Sequence, residues 1–186
     1  MKLRFTQSLI SGLLLALAST HVSAQTQKPV KATASLAGCT DPLIKGTARL
    51  KERVSSQGIK QVEVELKMEG LKPGQHAVHL HAAGNCTPCL AAAGHFDPGP
   101  YGNSTEGNHP YHLGDLPNIE AKKNGRGTIR TQTTRITLSN GPLTLFDQDG
   151  SAFVVHENPD TFCPDGNVPG CAGGARIACG IIERVN

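Results

Sequence analysis

Long hydrophobic runs are absent from this 186-residue chain. The apolar stretch from Leu9 to Ala18 falls well short of the ~20 residues a bilayer-spanning helix requires, which excludes a membrane span. Lys2 and Arg4 precede that stretch and Val22-Ser23-Ala24 follows it, the pattern of a secretory signal peptide covering residues 1–24. An excess of charge is also absent. The chain has 18 basic and 15 acidic residues, and residues 1–24 hold two of the basic ones and none of the acidic, leaving the mature chain at a formal +1. With no cluster of Lys and Arg interleaved with aromatics, nothing suggests a nucleic acid or another polyanion as partner. Alternation of strand and helix patterns is missing as well, and no long helical periodicity occurs after residue 24, so a parallel α/β sheet is excluded. Cys86-Thr-Pro-Cys89 has no second C-x-x-C, which disfavours a thiolate zinc site.

What the mature chain does contain is about 160 residues, enough for one domain with a sizeable core. Residues 25–32 are polar and aperiodic, the composition of a flexible tail, and the domain occupies residues 33–186. Val62, Val64, Leu66 and Met68 alternate with charged residues as in a half-buried strand. Gln75 to His81 reads as a strand with Ala77, His79 and His81 on one face and His76, Val78 and Leu80 on the other. Short runs at 127–131, 135–138, 143–146 and 152–156 are separated by turn residues. The pattern predicts an all-β, antiparallel sandwich or barrel. Two long segments rich in Gly, Pro and Asn, 85–119 and 157–174, are read as functional loops. All six cysteines follow the signal peptide, and an even number in an exported chain reads as three disulfides, for which 15 pairings exist.

Six of the seven mature histidines lie between His76 and His112, and the seventh, His156, closes an apolar run. A His-x-His pair on one strand face presents two imidazoles to one ion, and imidazole suits copper and zinc. His76 shares a face with Val78 and Leu80 and is read instead as a core histidine bonded to the backbone.

The full string is His76-Ala-Val-His79-Leu-His81, Gly94-His95-Phe-Asp-Pro98, His112-Leu-Gly-Asp115-Leu-Pro-Asn118, Val155-His156-Glu157 and Gly174-Ala-Arg176-Ile-Ala-Cys179-Gly180. With these motifs in this order, the chain resembles the copper/zinc superoxide dismutases of the exported bacterial type over nearly all its mature length. The resemblance implies a Greek-key barrel, copper and zinc as cofactors, superoxide as substrate, and a periplasmic or secreted location. It makes His79, His81, His95 and His156 the copper ligands, with His95 bridging to a zinc held by His112 and Asp115. Arg176 matches the arginine that guides the substrate anion, and Asp160 the aspartate that bonds a copper histidine. The family's remaining zinc histidine falls at Asn103, a poor zinc ligand. His109 is the candidate to replace it, the alternative being a turn cap before Pro110. The loop 157–175 carries Glu157, Asp160 and Asp165 but no Lys or Arg, so steering rests on Arg176 and a weak dependence on salt is expected. By resemblance Cys86 pairs with Cys179. Cys163 and Cys171 are near enough to close the loop locally, which leaves Cys39 for Cys89. Two other readings remain open: a copper-only dismutase with a degenerate zinc site, and a copper-storage module without enzymatic activity. No oligomer interface is legible in the pattern.

Overall fold

The computed structural model describes residues 28–99, 112–164 and 168–185. The signal peptide, residues 25–27 of the tail, Asn103, His109 and Asp165 lie outside the described residues. Ten strands and one 3₁₀ turn are present among the described residues: β1 (Lys31–Gly38), β2 (Lys45–Val54), β3 (Lys60–Glu69), β4 (Gly74–His76), β5 (Val78–His81), the turn Cys89–Ala92, β6 (Ile119–Ala121), β7 (Gly127–Thr133), β8 (Ala152–His156), β9 (Arg176–Ile181) and β10 (Glu183–Val185). No helix among these residues is long and apolar enough to cross a membrane.

The strands form one antiparallel sheet in the order β4-β6-β7-β3-β2-β1-β9-β8-β5, with β10 added to β1. Its two ends, β4 and β5, are consecutive in the chain and separated only by Ala77, so the sheet has to roll round on itself into a nearly closed barrel. Ala77 is also where the strand read over 75–81 breaks. Instead of a ladder partner its amide donates to the Asn158 carbonyl at 2.8 Å, and its carbonyl accepts from the His156 amide at 2.9 Å. Non-consecutive neighbours, β7 beside β3 and β9 beside β1, require the long crossovers of a Greek key.

Period-two alternation fills the barrel. β3 sends Val62, Val64, Leu66 and Met68 inward, β1 sends Ala32, Ala34 and Leu36, and β8 and β5 add Phe153, Val155, Val78 and Leu80. Removing that much apolar surface from water is the main force holding the sheet rolled.

Two expectations are corrected here. The sheet begins two residues inside the segment read as tail: Ala32 is 2 % exposed and pairs with both Leu50 and Arg184, because alanine is apolar enough to face the core although it carries little periodic signal. Residues 135–138 and 143–146 form no strands, only a single bridge between Thr137 and Thr144. Their apolar side chains, Ile136, Leu138 and Leu145, are fully buried, while backbone amides that a ladder would use are taken by a carboxylate. Glu52 Oε2 accepts from the Leu138 amide at 2.5 Å and the Ser139 amide at 3.0 Å, and Oε1 from the Ser139 hydroxyl at 2.6 Å. Burial opposes the Glu52 charge, but these hydrogen bonds outweigh it and hold the carboxyl below its ordinary value. β1, β2, β6, β9 and β10 are strands that the pattern alone does not announce.

Candidate metal centre

β5 and β8 lie side by side, with His79 opposite Val154 and His81 opposite Ala152. β5 therefore aims two imidazoles to the same side, and β8 delivers His156 at its end, where the register with β9 slips between Val155 and His156. His95 arrives from the long loop after β5, paired in an isolated bridge with His81. One nitrogen from each of His79, His81, His95 and His156 lies within 4.8 Å of the others. A second group of the same tightness consists of His95, His112 and Asp115, so His95 belongs to both.

Each imidazole is oriented by a partner on its far side. His81 donates from Nδ1 to the Ala93 carbonyl at 2.9 Å, and His156 from Nδ1 to the Gly174 carbonyl at 2.9 Å. His79 donates from Nε2 to Asp160 Oδ2 at 2.9 Å. These acceptors fix the tautomers and leave the other nitrogen of each ring with a lone pair facing the group. Asp160 is itself clasped: Oδ1 accepts from the Phe162 amide at 2.7 Å, and Asn118 bonds both its amide and its carbonyl, at 2.9 and 3.0 Å. His76 is the core histidine expected, its two nitrogens 2.8 Å from the carbonyls of His156 and Lys72.

In the second group His95 Nδ1 lies 2.7 Å from Asp115 Oδ1, and His112 Nδ1 3.6 Å from Asp115 Oδ2. Gly114 permits this approach, since a Cβ there would stand 2.4 Å from the Leu80 carbonyl oxygen. Gly173, at φ 96°, does the same for the opposite loop, where a Cβ would collide with Ala77 and His156.

The electrostatics suit cations. Burial, reinforced by neighbouring imidazoles, pulls His81 down to about 2 and His156 to about 3, and pulls His95 to about 4 against the opposing hydrogen bond from Asp115. All three are neutral near pH 7 and available as ligands. Asp115 hydrogen bonding lifts His112 above its ordinary value, and although burial disfavours the Asp115 charge, the bonds from His112 and His95 prevail and hold it ionised. Nε2 of His81 and Nε2 of His156 are buried with no hydrogen-bond partner among the described residues. Buried nitrogens left in that state cost ~1–3 kcal/mol each unless something coordinates them. Four imidazoles are a donor set for copper, and two imidazoles with one carboxylate are a donor set for zinc, so the residues present fit both ions.

Beside the four-histidine group, Arg176 at the start of β9 is tied down by three carbonyls: Nη1 donates to Cys89 at 3.0 Å and Leu90 at 3.3 Å, and Nη2 to Ala93 at 2.5 Å. The segment supplying those carbonyls is stapled twice, by Cys39–Cys89 and Cys86–Cys179, while Cys163–Cys171 closes the loop behind Asp160. Partial burial lowers the Arg176 pKa, but a guanidinium remains charged at working pH. Asn118 and the Ala93 and Gly174 carbonyls all take part in the centre without having been legible as functional. Asn118 closes the Asp115-Leu-Pro-Asn string, but nothing in its spacing gives it a partner.

The fold and the two groups define a disulfide-stapled β-barrel metalloprotein with adjoining copper-type and zinc-type donor sets. The family model for copper/zinc superoxide dismutase matches residues 44–182. Similar curated proteins include superoxide dismutase [Cu-Zn] 2 of Aquifex aeolicus, 35 % identical with 87 % of this chain and 92 % of that protein covered. The extracellular superoxide dismutase [Cu-Zn] of Drosophila melanogaster is 34 % identical, covering 90 % of this chain and 94 % of the other. Among solved structures, a double mutant of a SOD-like protein from Bacillus subtilis is 28 % identical, with a TM-score of 0.62 over 80 % of this chain and 95 % of that one. The chain belongs to the copper/zinc superoxide dismutase family. It is an oxidoreductase with copper and zinc as its cofactors and superoxide as its substrate.

Proposed function

We propose that the protein dismutates superoxide by copper redox cycling at His79, His81, His95 and His156, supported by a zinc held through His95, His112 and Asp115. The observation that carries this reading is the membership of His95 in both donor groups. Copper, when bound, supplies the one-electron couple that turns two superoxide anions into oxygen and hydrogen peroxide, and zinc, which has no such couple, holds charge and geometry. The chain's own residues do the rest. With Nδ1 turned to Asp115, His95 would meet the four-histidine group through Nε2, the atom at which a proton can be held or released between the two electron transfers. Asp160, clasped by Asn118, holds the His79 ring in one orientation.

Arg176 is the substrate-guiding residue. Its guanidinium is fixed by three carbonyls, none of which neutralises its charge, so it can attract and orient a small anion at the mouth of the group. We assign the remaining zinc ligand to His109, outside the described residues, in place of the histidine that the sequence lacks at Asn103. Residues 1–24 direct export, and the three disulfides fit an oxidising periplasmic or extracellular location.

Metal content of the purified mature protein, measured by mass spectrometry beside dismutase activity before and after copper reconstitution, tests the reading. Equal amounts of copper and zinc, with activity following copper, are expected. Bound copper without activity would leave a storage module, and full activity with copper but no zinc a copper-only enzyme.

A further inference from the structure

Arg135 stands two residues past the end of β7, and its amide donates to the Thr133 hydroxyl at 3.1 Å, which fixes where its side chain sets out. The guanidinium crosses to the far loop: Nη1 donates to the His112 carbonyl at 3.2 Å and Nη2 to the Asp115 carbonyl. Among the described residues no carboxylate lies within ion-pair range of it. A half-buried charge held by two carbonyls, both from residues of one donor group, is an uncommon use of an arginine, because surface arginines ordinarily find carboxylates or water.

We infer that Arg135 is a positioning residue for the zinc half of the centre. The inference rests on the reading of His95, His112 and Asp115 as the zinc group. Asp115 has to direct one oxygen at His95 and the other at His112, and both directions depend on the short turn from His112 to Asp115. That turn is closed by the Asp115 amide donating to the His112 carbonyl at 3.2 Å. On one side Gly114 seats it against β5, its amide bonded to the Phe96 carbonyl and its carbonyl to the Leu80 amide. On the other side the planar fork of Arg135 reaches the two carbonyls through two separate nitrogens, a fixed spacing that the single nitrogen of an ammonium does not provide. The next residues, Ile136 and Leu138, are fully buried, so the fork is mounted on the barrel core and transmits its rigidity to the zinc group.

Three variants separate the possibilities, with zinc affinity read by chelator competition and the visible bands of Co²⁺ used as a probe of the same group. Arg135→Gln should weaken zinc binding roughly 10- to 100-fold, as loss of an outer partner commonly does, and shift the cobalt bands while leaving copper affinity unchanged. Arg135→Lys should fall between Arg135→Gln and the parent. Asp115→Ala should abolish zinc binding. If Asp115→Ala binds zinc as the parent does, the zinc reading itself fails. If Asp115→Ala loses zinc while Arg135→Gln keeps the parental affinity and spectrum, the inference is overturned and Arg135 merely staples a loop. Should Arg135→Gln fail to fold, parental affinity and spectrum in Arg135→Lys would overturn it equally, because the fork is the basis of the argument.

Discussion

At the residue scale the centre is built from few side chains and many carbonyls. His81 and Arg176 both donate to the carbonyl of Ala93, so one backbone oxygen orients an imidazole of the four-histidine group and the cation proposed to guide the substrate. Exchange of Arg176 tests steering when copper content is read beside activity, since His81 keeps its own bond to that carbonyl. Arg176→Leu is expected to retain copper and to lose at least about tenfold in kcat/KM, with Arg176→Lys intermediate, because focused charge contributes 10- to 10³-fold to the encounter of an anion with a cleft. Stopped-flow superoxide decay beside copper quantification checks this, and parental kcat/KM in Arg176→Leu would remove the residue from the mechanism. The salt dependence should be shallow, since the described part of loop 157–175 has no cation of its own and Glu157 is paired with Lys72 at 3.0 Å.

At the scale of elements, the loop after β8 is held to its base by several links. Thr161 bonds the Cys171 carbonyl through both its amide and its hydroxyl, Asp160 bridges to Ala172, and Cys163–Cys171 closes the turn. Replacing both cysteines by serine removes a cross-link over eight residues, for which chain entropy gives about 2–3 kcal/mol. Thermal unfolding should show that loss, and the copper site should show more, because Asp160 is the loop's grip on His79. Copper affinity that stays parental while stability drops would confine the bridge to the fold. Strands with bulky alternation, such as β3, and the apolar run of β8 were legible in the sequence. β1 was obscured because alanines fill its inward positions, and β2 because a charged residue, Glu52, points inward to bond another loop. The same charge explains why residues 135–146 read as strands, since their apolar spacing is real but their amides are satisfied by Glu52 and short turns. In the site, histidine and aspartate spacing was readable because those side chains carry the chemistry themselves. The carbonyls of Ala93 and Gly174 were not readable, because every residue has one and only the fold selects which is used.

For the whole molecule, the folding energy and the metal centre are coupled through protons. His81, His95 and His156 are held at about 2, 4 and 3, far below the ordinary imidazole value near 6.5 that they regain on unfolding. As pH falls from 6.5 toward 4 the unfolded chain binds protons at these positions while the folded chain does not, so acid favours unfolding. Each such histidine contributes up to about 1.4 kcal/mol per pH unit in that window, a stability fully present above pH 6.5 and lost on the way down. His112, raised by Asp115, works in the opposite sense and softens the total. Bound copper and zinc add their binding energy to the folded state alone and hold the ligands deprotonated, so loading should raise stability throughout and delay its acid loss until protons displace the ions. Calorimetry of the metal-free and loaded protein from pH 7.5 to 4 makes the comparison. The metal-free Tm should decline steadily below pH 6.5 and the loaded Tm should hold to lower pH before dropping. A His156→Gln variant removes one of the titrating rings and should flatten the metal-free slope, whereas a metal-free Tm that is level across the range would mean that the imidazoles are not kept neutral by the fold.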